Sequence, residues 1–109
     1  MENITRADLI TMLESGSPFR LVNASGQARH RAARLPASES FSSYEEAADL
    51  LATDESIVVY CTGGHASMHA QWWLQARGYR NVRRYAGGLA DWEAAGLFIE
   101  GDGTLTGCR

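Results

Sequence analysis

The sequence predicts an α/β fold of three layers, α/β/α, with a mainly parallel central sheet. Two kinds of segment lead to this prediction. The short run of β-branched and aromatic residues at Ile57–Tyr60 is typical of a buried strand, and Val82–Tyr85 is a second, plausible short strand. Segments with helical spacing and helix start signals lie between these runs. Because each helix can return the chain to the start of the next strand, the strands are expected to run parallel.

The chain of 109 residues is expected to form one domain over residues 1–109. A flexible tail is expected from about residue 101, since that segment is rich in glycine. The net charge of −3 and the isoelectric point of about 5.5 do not favour binding to nucleic acid. No run of apolar residues is long enough to span a membrane, and no leader is evident, so we expect a soluble cytoplasmic protein.

The first half contains two helix start signals. Thr5 and Asp8 resemble a capping box, and helical spacing follows until Gly16. Phe19–Val22 is short and apolar, which predicts a strand, and Ala24–Ser40 has no sustained period, which predicts an irregular connection. Overlapping capping boxes at Ser42 and Ser43 predict a second helix that ends near Ala52.

The second half repeats the alternation. A strand at Ile57–Tyr60 precedes a helical segment, Met68–Arg77, for which Gly78 is a suitable C-cap. A strand at Val82–Tyr85 follows, and a Gly-Gly turn then leads into a short helix, Leu89–Ala95. Leu97–Ile99 is expected to form a last strand or a packed tail. The three tryptophans, Trp72, Trp73 and Trp92, are expected in the core.

A cysteine follows the central strand directly. Cys61 is followed by a loop with two glycines, Gly63 and Gly64, and then by a helix. Backbone N–H groups of such a loop and of the first helical turn can converge on one small concavity, with the positive end of the helix dipole behind it. A thiolate is stabilised there and becomes a good nucleophile or sulfur carrier. A buried cysteine without chemistry is the alternative, but its place at the strand end favours chemistry.

The C-terminal third and the cysteine loop together resemble the rhodanese family of sulfurtransferases. The most specific match is GYRNV at residues 78–82, followed by Gly87-Gly88, Trp92 and Gly96. With the strand and Cys-x-x-Gly loop before it, the resemblance covers about half of the chain strongly. Three residues of the N-terminal half depart from the family pattern: Asn23, Ser25 and Arg34. In the loop, Ala66 stands where the family commonly has arginine.

The resemblance implies sulfur transfer through a persulfide on Cys61. The loop residues that would bind substrate and stabilise the persulfide are Thr62, Gly63, Gly64, His65, Ala66 and Ser67. The implied partners are a small sulfur donor, such as thiosulfate or a persulfide, and a thiophilic acceptor, which is cyanide, a small thiol or a thiol-bearing protein. No metal and no cofactor is implied, because sulfur itself is the group carried. His65 and His69 either orient a donor or acceptor near the loop or are exposed histidines without a role.

Two other functions stay open at this point. A rhodanese fold with a divergent N-terminal half is compatible with a non-enzymatic binding or sensing module. A phosphatase or arsenate reductase is disfavoured, because neither Ala66 nor Ser67 supplies the guanidinium that clamps a tetrahedral oxyanion. The second cysteine, Cys108, is either an exposed thiol without a role or a thiol that resolves the Cys61 persulfide into a disulfide.

Overall fold

The computed structural model describes residues 2–62 and 65–101. Four parallel strands form one sheet in the order β1, β4, β3, β2, with the strands at Glu2–Ile4 (β1), Arg20–Asn23 (β2), Ile57–Tyr60 (β3) and Val82–Tyr85 (β4). The helices are Arg6–Ser15 (α1), Gln27–Ala32 (α2), Tyr44–Leu50 (α3), His65–Ala76 (α4) and Gly88–Ala94 (α5). This arrangement confirms the predicted fold class.

Each face of the sheet is covered by its own pair of helices. Leu9 of α1 and Trp92 of α5 pack with Val58 and Tyr60 on one face. Ala47 of α3 and Leu74 of α4 pack against Val59 on the other face. The split follows from strand geometry, because successive side chains of β3 point to opposite faces. All four residues of β3 are buried, as expected for a central strand between two helical layers.

The capping box predicted at Thr5 forms, and of the two overlapping boxes predicted at Ser42 and Ser43, Ser43 is the N-cap. The Thr5 hydroxyl accepts a hydrogen bond from the Asp8 N–H, and the Asp8 carboxylate accepts one from the Thr5 N–H. The Ser43 hydroxyl accepts one from the Glu46 N–H at the start of α3. These side chains satisfy N–H groups that a helix start leaves without a partner.

The structure differs from the sequence analysis in three places. The 24–40 connection is not irregular throughout, because it contains α2, whose N-cap residue, Gly26, makes no side-chain cap hydrogen bond. Strand β1 was missed, since Glu2–Ile4 is too short to show a period. Trp72 is 59% exposed, whereas Trp92 is in the core as expected. Trp72 lies away from the buried positions of α4 and therefore faces outward.

The segment after α5 is a packed tail, which was one of the two predicted alternatives. Leu97 and Ile99 pack against the core on the α1 side of the sheet. The backbones of Arg34 and Glu100 exchange hydrogen bonds of 2.8 and 2.9 Å in an isolated antiparallel bridge. Within the described ranges, no helix has the length and apolar character that a membrane span requires.

Candidate active site

Cys61 lies at the carboxyl end of the central strand. It directly follows β3, which pairs with β2 on one side and β4 on the other. Its side chain and backbone are almost fully buried, at 3% exposure. The Cys61 carbonyl accepts a hydrogen bond of 2.9 Å from the Leu89 N–H in the first turn of α5. The cysteine backbone is therefore held by a strand before it and a helix start beside it.

The Cys61 sulfur contacts the first turn of α4. The Ser67 N–H donates to Cys61 Sγ at 3.3 Å, and Ser67 Oγ lies 3.5 Å from the same sulfur. Ser67 is the third residue of the helix, so its N–H is one of those that have no acceptor within the helix. Such a group, together with the helix dipole, stabilises a sulfur anion. One amide of the helix start therefore contacts the cysteine sulfur.

A guanidinium stands behind this pair. Arg84 of β4 is half-buried, and its Nε–H donates to Ser67 Oγ at 3.1 Å. Ser67 is fully buried, and its Oγ contacts both the guanidinium and the sulfur. The sequence analysis did not identify Arg84. The alternation within Val82–Tyr85 and the parallel pairing with β3 are the signals that would have placed it on the α4 face.

The loop after β2 anchors the cysteine loop from the other side. Asn23 is buried, and its Oδ1 accepts a hydrogen bond from the Ser25 N–H at 2.9 Å. Ser25 Oγ in turn accepts from the Thr62 N–H at 3.0 Å and lies 3.3 Å from Thr62 Oγ1. Asn23 and Ser25 depart from the family pattern, yet they connect the end of β2 to the residue that follows Cys61.

This anchor changes the role expected for Thr62. The amides of residues 62–67 were expected to surround a terminal sulfur. The Thr62 N–H is instead engaged by Ser25, and the Ser67 N–H donates to Cys61 Sγ itself. Thr62 is therefore a residue that positions the loop, because its N–H is bound to Ser25 and does not face the sulfur.

His30 of α2 extends the anchor. Asn23 Nδ2 lies 3.2 Å from His30 Nδ1, and since Asn23 Oδ1 already accepts from Ser25, the amide donates to the ring. The ring nitrogen must then be unprotonated. Burial lowers the pKa of His30 below its ordinary value of 6.5, and the nearby Arg34 guanidinium lowers this pKa further. A neutral imidazole therefore supports the Asn23 side chain near neutral pH.

The other predicted site residues vary in exposure. His65 is exposed and Ala66 is half-buried at the start of α4. His69 is also exposed, and its ring centroid lies 5.6 Å from that of Tyr44 and 6.0 Å from that of Trp72. Gly63, Gly64 and Cys108 lie outside the described residues. Within those residues, no group of three or more histidine, cysteine, aspartate or glutamate side chains could hold a metal ion.

A mainly apolar cavity of about 220 Å³ lies on the α4 face of the sheet. Its walls come from the ends of β2 and β3, from α3 and from α4, and include Asn23, Ala24, Tyr44, Val59 and Ala70. Ala70 follows Ser67 by one helical turn, and Asn23 belongs to the loop anchor. The cavity therefore adjoins the cysteine site.

The chain is similar in structure to several solved proteins. One is the rhodanese-like domain of the Alr3790 protein from Anabaena, with a TM-score of 0.86 and 23% identity over 95% of this chain and 82% of that one. Another is the human single-domain sulfurtransferase TSTD1, with a TM-score of 0.74 and 18% identity over 86% of this chain and 96% of that one. These two likenesses show the fold.

A third similar structure has a different suggested activity. It is a protein of unknown function, RPA3614, a possible tyrosine phosphatase from Rhodopseudomonas palustris, with a TM-score of 0.77 and 27% identity over 92% of this chain and 85% of that one. No curated protein sequence matches the chain significantly. The model of the rhodanese-like domain matches residues 5–95, most of the chain. The chain therefore belongs to the rhodanese-like domain family.

Proposed function

We propose that the protein is a sulfurtransferase that carries a sulfane sulfur on Cys61. The observation that carries the proposal is the hydrogen bond of 3.3 Å from the Ser67 N–H to Cys61 Sγ at the start of α4. Family membership supports it. A sulfur anion at this position is stabilised by an oriented backbone donor, whereas a thiol in an apolar core has no such donor.

The reaction has two displacement steps. The Cys61 thiolate attacks the outer sulfur of thiosulfate or of a similar donor, the sulfur–sulfur bond of the donor breaks, and sulfite leaves with the electron pair. The product is a Cys61 persulfide. A thiophile, which is cyanide or a thiol of a small molecule or protein, then attacks the outer sulfur. Thiocyanate or a new persulfide leaves, and the Cys61 thiolate is regenerated.

The surroundings of Cys61 suit a persulfide. The anchor from Ser25 to the Thr62 N–H limits movement of the loop on one side of the cysteine, and the start of α4 limits it on the other. In this proposal, amides of the first turn of α4, those of His65 and Ala66, receive the terminal sulfur anion. The proposal needs no metal and no organic cofactor. It includes a cytoplasmic location, where cysteines stay reduced.

A phosphatase is the second candidate, because the similar Rhodopseudomonas protein is a possible tyrosine phosphatase. The described residues argue against it. Neither Ala66 nor Ser67 supplies the arginine with which such a loop clamps a phosphate, and Arg84 reaches Ser67 Oγ from β4. The Arg84 guanidinium therefore contacts the serine beside the cysteine and does not belong to the loop that would clamp a phosphate. A module that binds without catalysis is the third candidate.

Intact mass after incubation with thiosulfate tests the proposal. We expect the wild-type protein to gain the mass of one sulfur atom, located on the peptide that contains Cys61, and to lose it again as thiocyanate when cyanide is added. The Cys108→Ser variant is the matched control and should gain the same mass. If neither thiosulfate nor an organic persulfide loads Cys61, the proposal is wrong. Hydrolysis of an aryl phosphate would then favour a phosphatase, and its absence a binding module.

A further inference from the structure

We propose that Arg84 is a positioning residue that keeps the Ser67 hydroxyl as a hydrogen-bond donor to Cys61 Sγ and thereby favours the thiolate. The inference deepens the proposed function and rests on it, because a sulfur carrier must react as a thiolate. The inference follows from the contact between Arg84 of β4 and Ser67, and the cysteine loop alone would not lead to it.

The three side chains form a short chain of contacts. The Arg84 Nε–H donates to Ser67 Oγ at 3.1 Å, and the neutral Cys61 thiol donates to the same oxygen at 3.5 Å. The link is shielded from solvent, because Ser67 is fully buried and Cys61 is 3% exposed. A hydrogen bond in such an environment is stronger than the same bond in water.

The chemistry of arginine determines the direction of these bonds. A guanidinium has only donors, so Ser67 Oγ must act as the acceptor toward Arg84. When Cys61 ionises, the thiolate has no proton to donate and can only accept, so the Ser67 hydroxyl, which still accepts from Arg84, turns its own proton to the sulfur. A hydroxyl that donates stabilises a thiolate, while a hydroxyl that accepts stabilises a thiol. Arg84 therefore selects the orientation that favours the charged form of Cys61.

The sheet register places the charge on the side where it acts. Arg84 pairs with Val59 across the parallel strands β4 and β3, and paired residues point to the same face. Val59 packs on the α3 and α4 face, which is also the face of the Ser67 contact. In the loop, Ala66 takes the place of the arginine that the family commonly has. The positive charge of Arg84 enters from behind the cysteine instead.

Other charged or titratable groups on the elements around Cys61 must be considered in any pH measurement. Those on the described parts of these elements include His65 and His69 of α4, Arg29, His30 and Arg31 of α2, Glu45, Glu46 and Asp49 of α3, Asp91 and Glu93 of α5, Tyr60 of β3, and Arg83 and Tyr85 of β4. Apart from Arg83, the control position, all of them stay unchanged in the variants below, so differences between the profiles come from the substituted residues.

The rate of iodoacetamide alkylation at Cys61, followed on its peptide by mass spectrometry from pH 5 to pH 10, tests the inference. In Arg84→Gln we expect the midpoint of the rate profile to move upward by about half a pH unit or more, which slows alkylation at neutral pH about threefold. Arg83→Gln is the matched control. It removes the same charge from the adjacent position on β4, where Arg83 contacts Met12 and Ser56 instead, and its midpoint should stay within about 0.2 pH units of wild type.

A second substitution separates the Ser67 link from a simple effect of charge. Ser67→Ala should raise the midpoint as Arg84→Gln does, and adding Arg84→Gln to it should change the midpoint little further. If Arg84→Gln has its full effect in the Ser67→Ala background, or if it matches Arg83→Gln, the inference is overturned. Arg84→Met, with the same expectation, replaces Arg84→Gln if circular dichroism shows that the latter does not fold. Alkylation needs no sulfur donor, so this result is independent of the sulfur-transfer assay.

Discussion

The carbonyl oxygen of Cys61 occupies the space where a side chain of Gly88 would begin. A Cβ atom built on Gly88 would stand 2.1 Å from that oxygen, and Gly88 has a positive φ of 65°. The close approach allows the neighbouring Leu89 N–H to bind the same oxygen at 2.9 Å. The second glycine of the Gly87-Gly88 pair therefore does more than turn the chain, because it lets α5 begin against the backbone of the candidate nucleophile.

Gly88→Ala should disrupt both the fold and the site. The added methyl group must displace the Cys61 backbone or the start of α5, and we expect a loss of about 2–4 kcal/mol in the free energy of unfolding. Urea denaturation and the thiosulfate assay measure the two effects. Gly96→Ala is the control, since Gly96 also has a positive φ but nothing within 4 Å of its Cβ position. It should cost about 1 kcal/mol and leave sulfur transfer intact. Equal effects of the two variants would contradict this role of Gly88.

Cys61→Ser should abolish sulfur transfer without unfolding the protein. The change removes the nucleophile but alters only one buried atom, so the free energy of unfolding should fall by no more than about 2 kcal/mol. Formation of thiocyanate from thiosulfate and cyanide, measured beside a thermal melt, checks both parts. A serine variant that still formed thiocyanate at the wild-type rate would show that Cys61 does not carry the sulfur.

Ala66→Arg restores the residue that the family commonly has in the loop. We expect KM for thiosulfate to fall several-fold with a smaller change in kcat, because an added guanidinium attracts the anion without altering the attacking sulfur. Ala66→Gln controls for size without charge and should leave KM near the wild-type value. An unchanged KM in the arginine variant would mean that residue 66 does not face the donor.

Ser25→Ala should loosen the cysteine loop. It leaves the half-buried Thr62 N–H without its 3.0 Å acceptor, which should cost about 1 kcal/mol of unfolding free energy and lower kcat several-fold. Ser17→Ala is the control, because Ser17 is exposed and lies before β2, at the opposite end of that strand from Ser25. If Ser25→Ala and Ser17→Ala have the same activity, the anchor does not position the loop.

His30 should make the stability depend on pH below neutrality. Its pKa is lowered in the folded protein by burial and by Arg34, so the folded state binds fewer protons than the unfolded state near this pKa. The contribution of the neutral ring is complete above pH 6.5, the ordinary value, and is lost as pH falls through the lower folded pKa.

Thermal melts between pH 7 and pH 5 should therefore show a larger loss of stability in wild type than in His30→Gln. Glutamine keeps an acceptor for Asn23 but does not titrate in this range. The exposed His69 provides the control variant, His69→Gln, which should follow the wild-type profile. If His30→Gln also follows that profile, the Asn23 contact does not depend on a neutral ring.

The segments with a strong pattern could be predicted from the sequence. Ile57–Tyr60 and Val82–Tyr85 are strands with the predicted bounds, because each is a short apolar or alternating run between polar turns. Strand β1 and helix α2 could not be predicted. The former is three residues long and forms only by pairing with β4, and the latter is rich in arginine and histidine with a single buried residue.

The site shows the same division between local and tertiary information. The sequence placed Cys61 between a strand end and a helix start, since both elements are local. The contacts of Ser25 with Thr62 and of Arg84 with Ser67 join residues 37 and 17 positions apart. They depend on which strands are neighbours and in which register. A helix pattern also could not show that Trp72 lies outside the buried face of α4.

The outward position of Trp72 gives the protein an optical probe that needs no chemical label. Trp72 is 59% exposed on the helix that begins at the cysteine loop, whereas Trp92 is buried and its indole N–H donates to the Phe98 carbonyl at 2.8 Å. A collisional quencher in water reaches the first indole and is excluded from the second. Trp73 is half-buried, so in a Trp73→Phe variant the fluorescence that such a quencher removes reports on the outer face of α4, and the protected emission reports on the packing of α5.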